Sequence, residues 1–414
     1  MGHREIDYSH WRKNSVLFLG SQTISLLGSS LVQYAITWHL TLSERSGMIM
    51  MLSVLFGFLP IFVLAPFAGV WADRFNRKKL IILSDGFIAL STLGLVFLFS
   101  RGYGTVGVLL TALAIRAVGS GIQMPAVSAV LPQIVPTNHL NQINGINGSI
   151  QAAITLISPM LSGALMNFTS MENIFWIDVI TATAAILILQ LLLKIPGYTK
   201  GNETSEQGVH RYAQELQLGY QYIKHHAFLR KLFLYFAVAF LMIAPVAFLT
   251  PLQVTRNFGG DIWRLSALEI VFAVGMILGG LGIALWGGFK NRIVSIAAAL
   301  GIIGMGSLLL GIVTNFWIYL FFMGLVGVAM PMLNAPSLTL IQEKVEEAYL
   351  GRVFGVQTMI FTSMMPLGMV FFGPLADRID IQWLLIISGF ALLLIAFYLF
   401  RDKKLIKEGE PSAE

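Results

Sequence analysis

Long apolar runs separated by short polar breaks recur along the whole chain. A bilayer core of about 30 Å needs roughly 20 apolar residues per helix. Twelve runs reach that length, near 15–40, 47–72, 80–100, 105–127, 143–168, 173–194, 230–254, 262–288, 293–313, 315–340, 352–375 and 382–400. The strict alternation of barrel strands is absent. The pattern predicts an all-α polytopic membrane protein with twelve transmembrane helices. The first run lacks a small-residue cleavage site and reads as a retained span.

Composition agrees, since 56% of the residues are hydrophobic and only 12% charged, which excludes an ordinary soluble domain. Charge then orients the spans. With both termini on one side, that side holds 21 of the 27 Lys and Arg residues, counting those at span ends. Such an excess marks the cytoplasmic face, so both termini are expected in the cytoplasm. The same bias accounts for the net charge of +6, and nucleic acid is not an expected partner. The expected partners are the lipid bilayer, protons and a small substrate, with the chain monomeric. There is no cysteine, which removes disulfides and thiolate metal sites. No Walker loop, metal-ligand cluster or nucleophile triad occurs, so neither an enzyme nor a metal or cofactor is expected.

The chain also repeats itself. Leu140–Gly145 aligns with Leu350–Gly355, and Gly163-Ala164-Leu165 with Gly373-Pro374-Leu375, at one offset near half the length. Pro125 pairs with Pro336 one residue out of step, and Gly69 with Gly282. Two six-helix pseudo-repeats follow, over 1–195 and 229–401, with a cytoplasmic linker at 196–228 and a tail at 402–414. The linker carries a polar stretch from Gly201 to Gly208 and then Tyr212–Ile223, which reads as a short amphipathic helix on the membrane surface. Duplicated halves around a midplane site are the plan of secondary transporters.

The turn Gly69-Val70-Trp71-Ala72-Asp73-Arg74-Phe75-Asn76-Arg77-Lys78-Lys79 sets four basic residues between two spans. Positive-inside anchoring accounts for the basic residues but not for Gly69 or Asp73. The turn resembles the loop between helices two and three of the major facilitator superfamily, roughly Gly-x-x-x-Asp-Arg-x-Gly-Arg-[Lys/Arg]-[Lys/Arg]. Asn76 replaces the second glycine, and asparagine tolerates left-handed backbone. The resemblance implies a cytoplasmic latch in which Asp73 meets a helix N-terminus, with Arg74, Arg77 and Lys78 beside it. Asp85, six residues beyond Lys79, is expected to pair with this basic turn. The corresponding turn from Gly282 to Arg292 lacks the aspartate.

Two charges lie deep in spans. Arg116 sits about 16 Å along span four, near the midplane, and must face a wet cavity or a carboxylate. Its context, Arg116-Ala117-Val118-Gly119-Ser120-Gly121, resembles the Arg-x-x-x-Gly-x-Gly motif that the same superfamily associates with proton coupling. Glu269 sits about 10 Å along span eight, where it suits a proton carrier or a site for a cationic substrate, unless it is exposed at the interface. Asp178, close to the end of span six, admits an interfacial or a functional role.

Ser158-Pro159-Met160-Leu161-Ser162-Gly163 resembles the Gly-Pro-x-x-Gly-Gly core of drug:proton antiporters, with serine twice in place of glycine. Its small residues and proline suit a hinge, as do Gly119 and Gly121. Gln22, Ser25, Gln33, Gln151 and Gln357 are polar residues within spans, suited to a cavity or to interhelical hydrogen bonds, and Tyr34, Phe240 and Phe248 could form an aromatic wall.

Gln22-Thr23-Ile24-Ser25, Leu52-Ser53, Gly57-Phe58-Leu59-Pro60, Ile341-Gln342-Glu343-Lys344, Tyr349–Phe354 and Ala376-Asp377-Arg378-Ile379 look like the macrolide efflux proteins of Gram-positive bacteria. That resemblance implies a bacterial cytoplasmic-membrane exporter of bulky amphipathic drugs, driven by the proton gradient through alternating access. Related members of this branch move lysophospholipids or export siderophores, so a lipid or metabolite transporter is the alternative. A non-transporting receptor or scaffold would gain nothing from a midplane charge.

Overall fold

The computed structural model describes residues 10–193 and 205–410, without the side chains of Asp73, Asn141 and 205–213. Fifteen α-helices occur among these residues: α1 Trp11–Glu44, α2 Gly47–Arg74, α3 Arg77–Ser100, α4 Val106–Ile134, α5 Leu140–Phe168, α6 Met171–Leu187, α7 Ser205–His225, α8 Ala227–Phe248, α9 Thr250–Asn257, α10 Ile262–Trp286, α11 Arg292–Ile312, α12 Phe316–Lys344, α13 Glu347–Leu375, α14 Ile381–Arg401 and α15 Lys403–Glu408. Twelve stretches are long and apolar enough to cross a membrane, as the runs of the sequence predict. The sixth ends in a π turn over Ile188–Leu192, and the seventh is α8 continued by α9. The break between these two follows Pro245, whose missing N–H and ring weaken the preceding turn.

The chain forms two compact units, residues 1–39 with 55–212 and residues 40–54 with 213–414. The turn between α1 and α2 thus belongs with the C-terminal helices. In the first unit α3 packs along α4 and α6. Phe18, Ile81, Val130, Leu131, Ile134 and Leu189 form a buried cluster there.

In the second unit α11 lies along α14 and α12, α10 along α12, and α8 along α13. The α10–α12 contact is backbone against backbone. A Cβ on Gly275 would lie 2.3 Å from the Gly324 carbonyl oxygen, and one on Gly279 2.1 Å from that of Val328. Lipid tails are as apolar as leucine, so membrane helices associate through such close approach rather than through the hydrophobic effect.

The linker helix α7 does more than the surface helix expected of Tyr212–Ile223. Its C-terminal half docks on the start of α13. Ile223 joins Leu229, Phe233, Ile341, Val345 and Val353 in a buried cluster. Tyr222 stacks on Tyr349 with centroids 4.5 Å apart, and Glu215 pairs with Arg352. The Tyr212 side chain, residues 196–204 of the linker and residues 411–414 of the tail lie outside the described residues.

Candidate functional site

The first unit holds a buried polar core on α1, α3, α4 and α6. Arg116 is 4% exposed, and the carboxylate it needs is Asp178, 0% exposed, 2.5 Å away. Arg116 also donates to the Thr92 hydroxyl and, at 3.0 Å, to the Ser29 carbonyl. Asp178 accepts from Ser29 Oγ at 2.9 Å and Thr92 Oγ1 at 2.7 Å. Arg116 thus faces a carboxylate, and Asp178 is buried as its counterion rather than exposed at an interface. A charge pair with every strong acceptor occupied is the form in which arginine tolerates a bilayer interior.

Asp85 does not pair with the basic turn. It lies 1% exposed among the helices, where its Oδ1 accepts from Ser25 Oγ at 2.9 Å and Gln123 Nε2 at 2.5 Å. Among the described residues its Oδ2 has no partner. Six residues along a helix is well short of two full turns, so Asp85 leaves the face that carries Lys79.

The basic turn bonds to carbonyls instead. Arg77 donates to Ala72 and Ala129, both at 2.8 Å. Lys78 Nζ reaches the Leu193 carbonyl at 2.7 Å and that of Gln190 at 3.3 Å, satisfying oxygens that the end of the sixth span leaves open. Asn76 is not left-handed: at φ −62°, ψ 109° it caps α3, its side chain accepting from Lys79 N. Gly69 sits inside α2 with open space where a Cβ would go, so packing within this unit does not require it. Arg74 Nη2 is buried without a partner among the described residues. The Asp73 side chain lies outside the described residues.

The small residues earn their places by contact. A Cβ on Gly119 would lie 2.5 Å from Ile88 Cγ1, and one on Gly121 3.2 Å from Ile61 Cα. Ser158 and Ser162 are 0% exposed; Ser162 Oγ donates to the Leu31 carbonyl, whereas Ser158 Oγ has no partner. Pro159 and Gly163 lie buried between and beside them. Gln22 is buried with its Nε2 unsatisfied, and Gln33 and Gln151 are exposed. Tyr34 packs against Trp38 with the two rings tilted at 57°. An open groove of about 550 Å³ runs between α1 and α5, lined by Trp11, Arg12, Val16, His139, Ile143 and Ile146. Its ring pair, Trp11 on His139 at 4.5 Å, joins residues from different helices that no local pattern links.

In the second unit Glu269 is half-buried on α10, with no hydrogen bond or ion pair among the described residues. Gln357 is buried, Phe248 half-buried. Phe240 stacks on Phe361 at 4.1 Å, which makes it packing between α8 and α13 rather than an open wall. A polar cluster that sequence reasoning missed surrounds Asp377. Its carboxylate accepts from Gly47 N at 2.7 Å, Met48 N at 2.9 Å, Ser46 Oγ at 2.8 Å and Arg256 Nη2 at 2.8 Å. Arg256 also binds the Arg45 carbonyl at 2.6 Å, at a residue held at φ 50°.

Comparison with known proteins decides the family. The Major Facilitator Superfamily model matches residues 16–369. The chain belongs to this superfamily. Macrolide efflux protein A of Streptococcus pyogenes is 30% identical over 94% of this chain and 96% of its own. The multidrug efflux pump Tap of Mycobacterium bovis is 24% identical over 77% and 76%. Among solved structures, a bacterial homolog of the human lysosomal transporter Spinster superposes with a TM-score of 0.70 over the whole of both chains, at 13% identity. This major facilitator chain is therefore a multi-pass membrane transporter of twelve spans with macrolide and multidrug efflux relatives.

Proposed function

We propose that the protein exports bulky amphipathic drugs of the macrolide kind from the bacterial cytoplasm, in exchange for protons, by alternating access. The observation that carries this reading is the 30% identity to macrolide efflux protein A of Streptococcus pyogenes over 94% of this chain and 96% of that protein. Both termini face the cytoplasm, where the Lys and Arg excess keeps them. Glu269 receives the cationic part of the substrate, a role supported by its place within a span and by its lack of a hydrogen bond or ion pair among the described residues. Arg116, closed onto Asp178, serves as a positioning residue.

The test is accumulation of a labelled macrolide in pump-deficient bacteria that express the protein, with and without a protonophore. Low accumulation that the protonophore reverses, absent from empty-vector cells, is the expected result. Accumulation equal to the empty vector, with the protein confirmed in the membrane, overturns macrolide export and favours a lysolipid or siderophore substrate.

A further inference from the structure

Three charged groups are buried among the described residues: Asp85, Arg116 and Asp178, all in the first unit. They are unequally matched. Two serines one turn apart on α1 hold the two acids, Ser25 donating to Asp85 and Ser29 to Asp178. Asp178 has a cation besides, and Asp85 has none. Two carboxylates and one guanidinium leave one negative charge over, and the geometry assigns it to Asp85.

The two acids also differ in what a proton would disturb. A proton on Asp178 would neutralise the counterion of Arg116 and leave that guanidinium buried without its charge partner, and breaking a buried pair costs about 3–5 kcal/mol. On Asp85 both donors crowd onto Oδ1, and Oδ2 is bare. An O–H bond formed at Oδ2 removes a buried charge and breaks neither existing hydrogen bond. The groups facing Asp85 are Ser25 from α1, Gln123 from α4 and, at longer range, the like charge of Asp178 from α6. Arg116 of α4 is engaged by Asp178. Gln22, three residues before Ser25 and so on the same face of α1, carries a further buried polar atom without a partner among the described residues.

We infer that Asp85 is the proton-binding site of the first unit, taking a proton from water at Oδ2 and returning it during the transport cycle. This rests on the proton-coupled reading above but adds a carrier which that reading does not contain. It also gives the polar core a division of labour, with one acid fixed by arginine and one left to titrate.

The first measurement needs no substrate. Infrared difference spectra between acid and alkaline pH, taken on the purified protein in lipid, report the C=O stretch of a buried carboxylic acid. The expected band is present in the wild type and in Glu269→Gln and absent from Asp85→Asn. Its persistence in Asp85→Asn overturns the inference. Should Asp85→Asn fail to fold, Asp85→Glu carries the test: a displaced titration of the band supports the assignment, and an unchanged one overturns it.

The second measurement uses liposomes loaded with a pH dye and driven by a gradient of labelled macrolide. Asp85→Asn should exchange macrolide across the bilayer yet lose the proton movement. Proton movement equal to wild type in that variant overturns the role of Asp85 and leaves proton-coupled export standing. Macrolide movement without protons in the wild type overturns the coupling itself, whatever the infrared band shows.

Discussion

Asp377 accepts the backbone N–H of Gly47 at 2.7 Å, so a carboxylate following α13 caps the N-terminus of α2. It also takes the Met48 N–H, an orphan donor that the first turn of a helix cannot satisfy itself, and the hydroxyl of Ser46 just before the helix. Asp377→Ala should lower stability by about 1 kcal/mol, the usual cost of a lost helix cap. Thermal unfolding of the detergent-solubilised protein, followed by circular dichroism, checks this.

The same carboxylate carries a pH signature. Burial pushes its pKa up, but the Met48 and Gly47 N–H groups, the Ser46 hydroxyl and Arg256 outweigh that and hold it below the ordinary carboxylate range. Its stabilising effect is therefore complete above the unfolded value of about 4 and disappears as pH falls through the lower folded value. The stability gap between wild type and Asp377→Asn should be constant from pH 7 to 5 and close in stronger acid. A gap that widens in acid would refute the assignment.

Steric closeness predicts a further loss at this contact. A Cβ on Gly47 would lie 2.2 Å from the Gly373 carbonyl oxygen and 2.8 Å from the Ala376 Cβ. Gly47→Ala should cost about 1–3 kcal/mol, the range for overpacking. Gly69→Ala, with open space beside it, should leave stability unchanged. Melting curves of the two variants side by side decide the comparison.

The Arg116–Asp178 pair makes a sharper prediction. Arg116→Ala strands a buried carboxylate and should cost about 3–5 kcal/mol, whereas Arg116→Met with Asp178→Leu should recover most of it. The yield of monodisperse protein from membranes and its melting temperature report both. A double variant no better than the single one would show that the two charges do not act as a pair.

Docking of α7 can be tested alone. A Cβ on Gly219 would lie 2.6 Å from the Arg352 carbonyl oxygen, so Gly219→Val should lift the helix from α13. Amide hydrogen exchange across 214–225 should rise in that variant while exchange in α11 and α14 stays at the wild-type level.

Much of this fold was legible in the chain because hydrocarbon leaves few alternatives: a run of apolar residues near the bilayer thickness becomes a helix. The site was less legible, and for identifiable reasons. Arg116 announced the need for a partner, but Asp178 lies on another helix and no periodicity links them. Nearness in sequence to Lys79 suggests the basic turn as the partner of Asp85, whereas helical rotation sends it into the bundle. Asn76 was read through the glycine it replaces, although as a residue before a helix it is an ordinary cap. The sequence Gly-x-x-Ala-Asp-Arg occurs twice, at 69–74 and 373–378. The two copies are spaced far from half the chain and so do not fall on the offset of the pseudo-repeat. Asp377 in the second copy makes the helix-end contact expected of Asp73 in the first.

The glycine seam between α10 and α12 has a mechanical consequence. Helices separated by layers of side chains can slip, since each rotamer change yields a little. Where Gly275 meets Gly324 and Gly279 meets Val328, peptide planes touch directly, and no soft element lies between them. The two helices then behave as one beam, and force applied to either end is transmitted without bending at the seam. Glu269 stands six residues before Gly275 on that beam. Any displacement of α10 that carries this carboxylate must carry α12 with it.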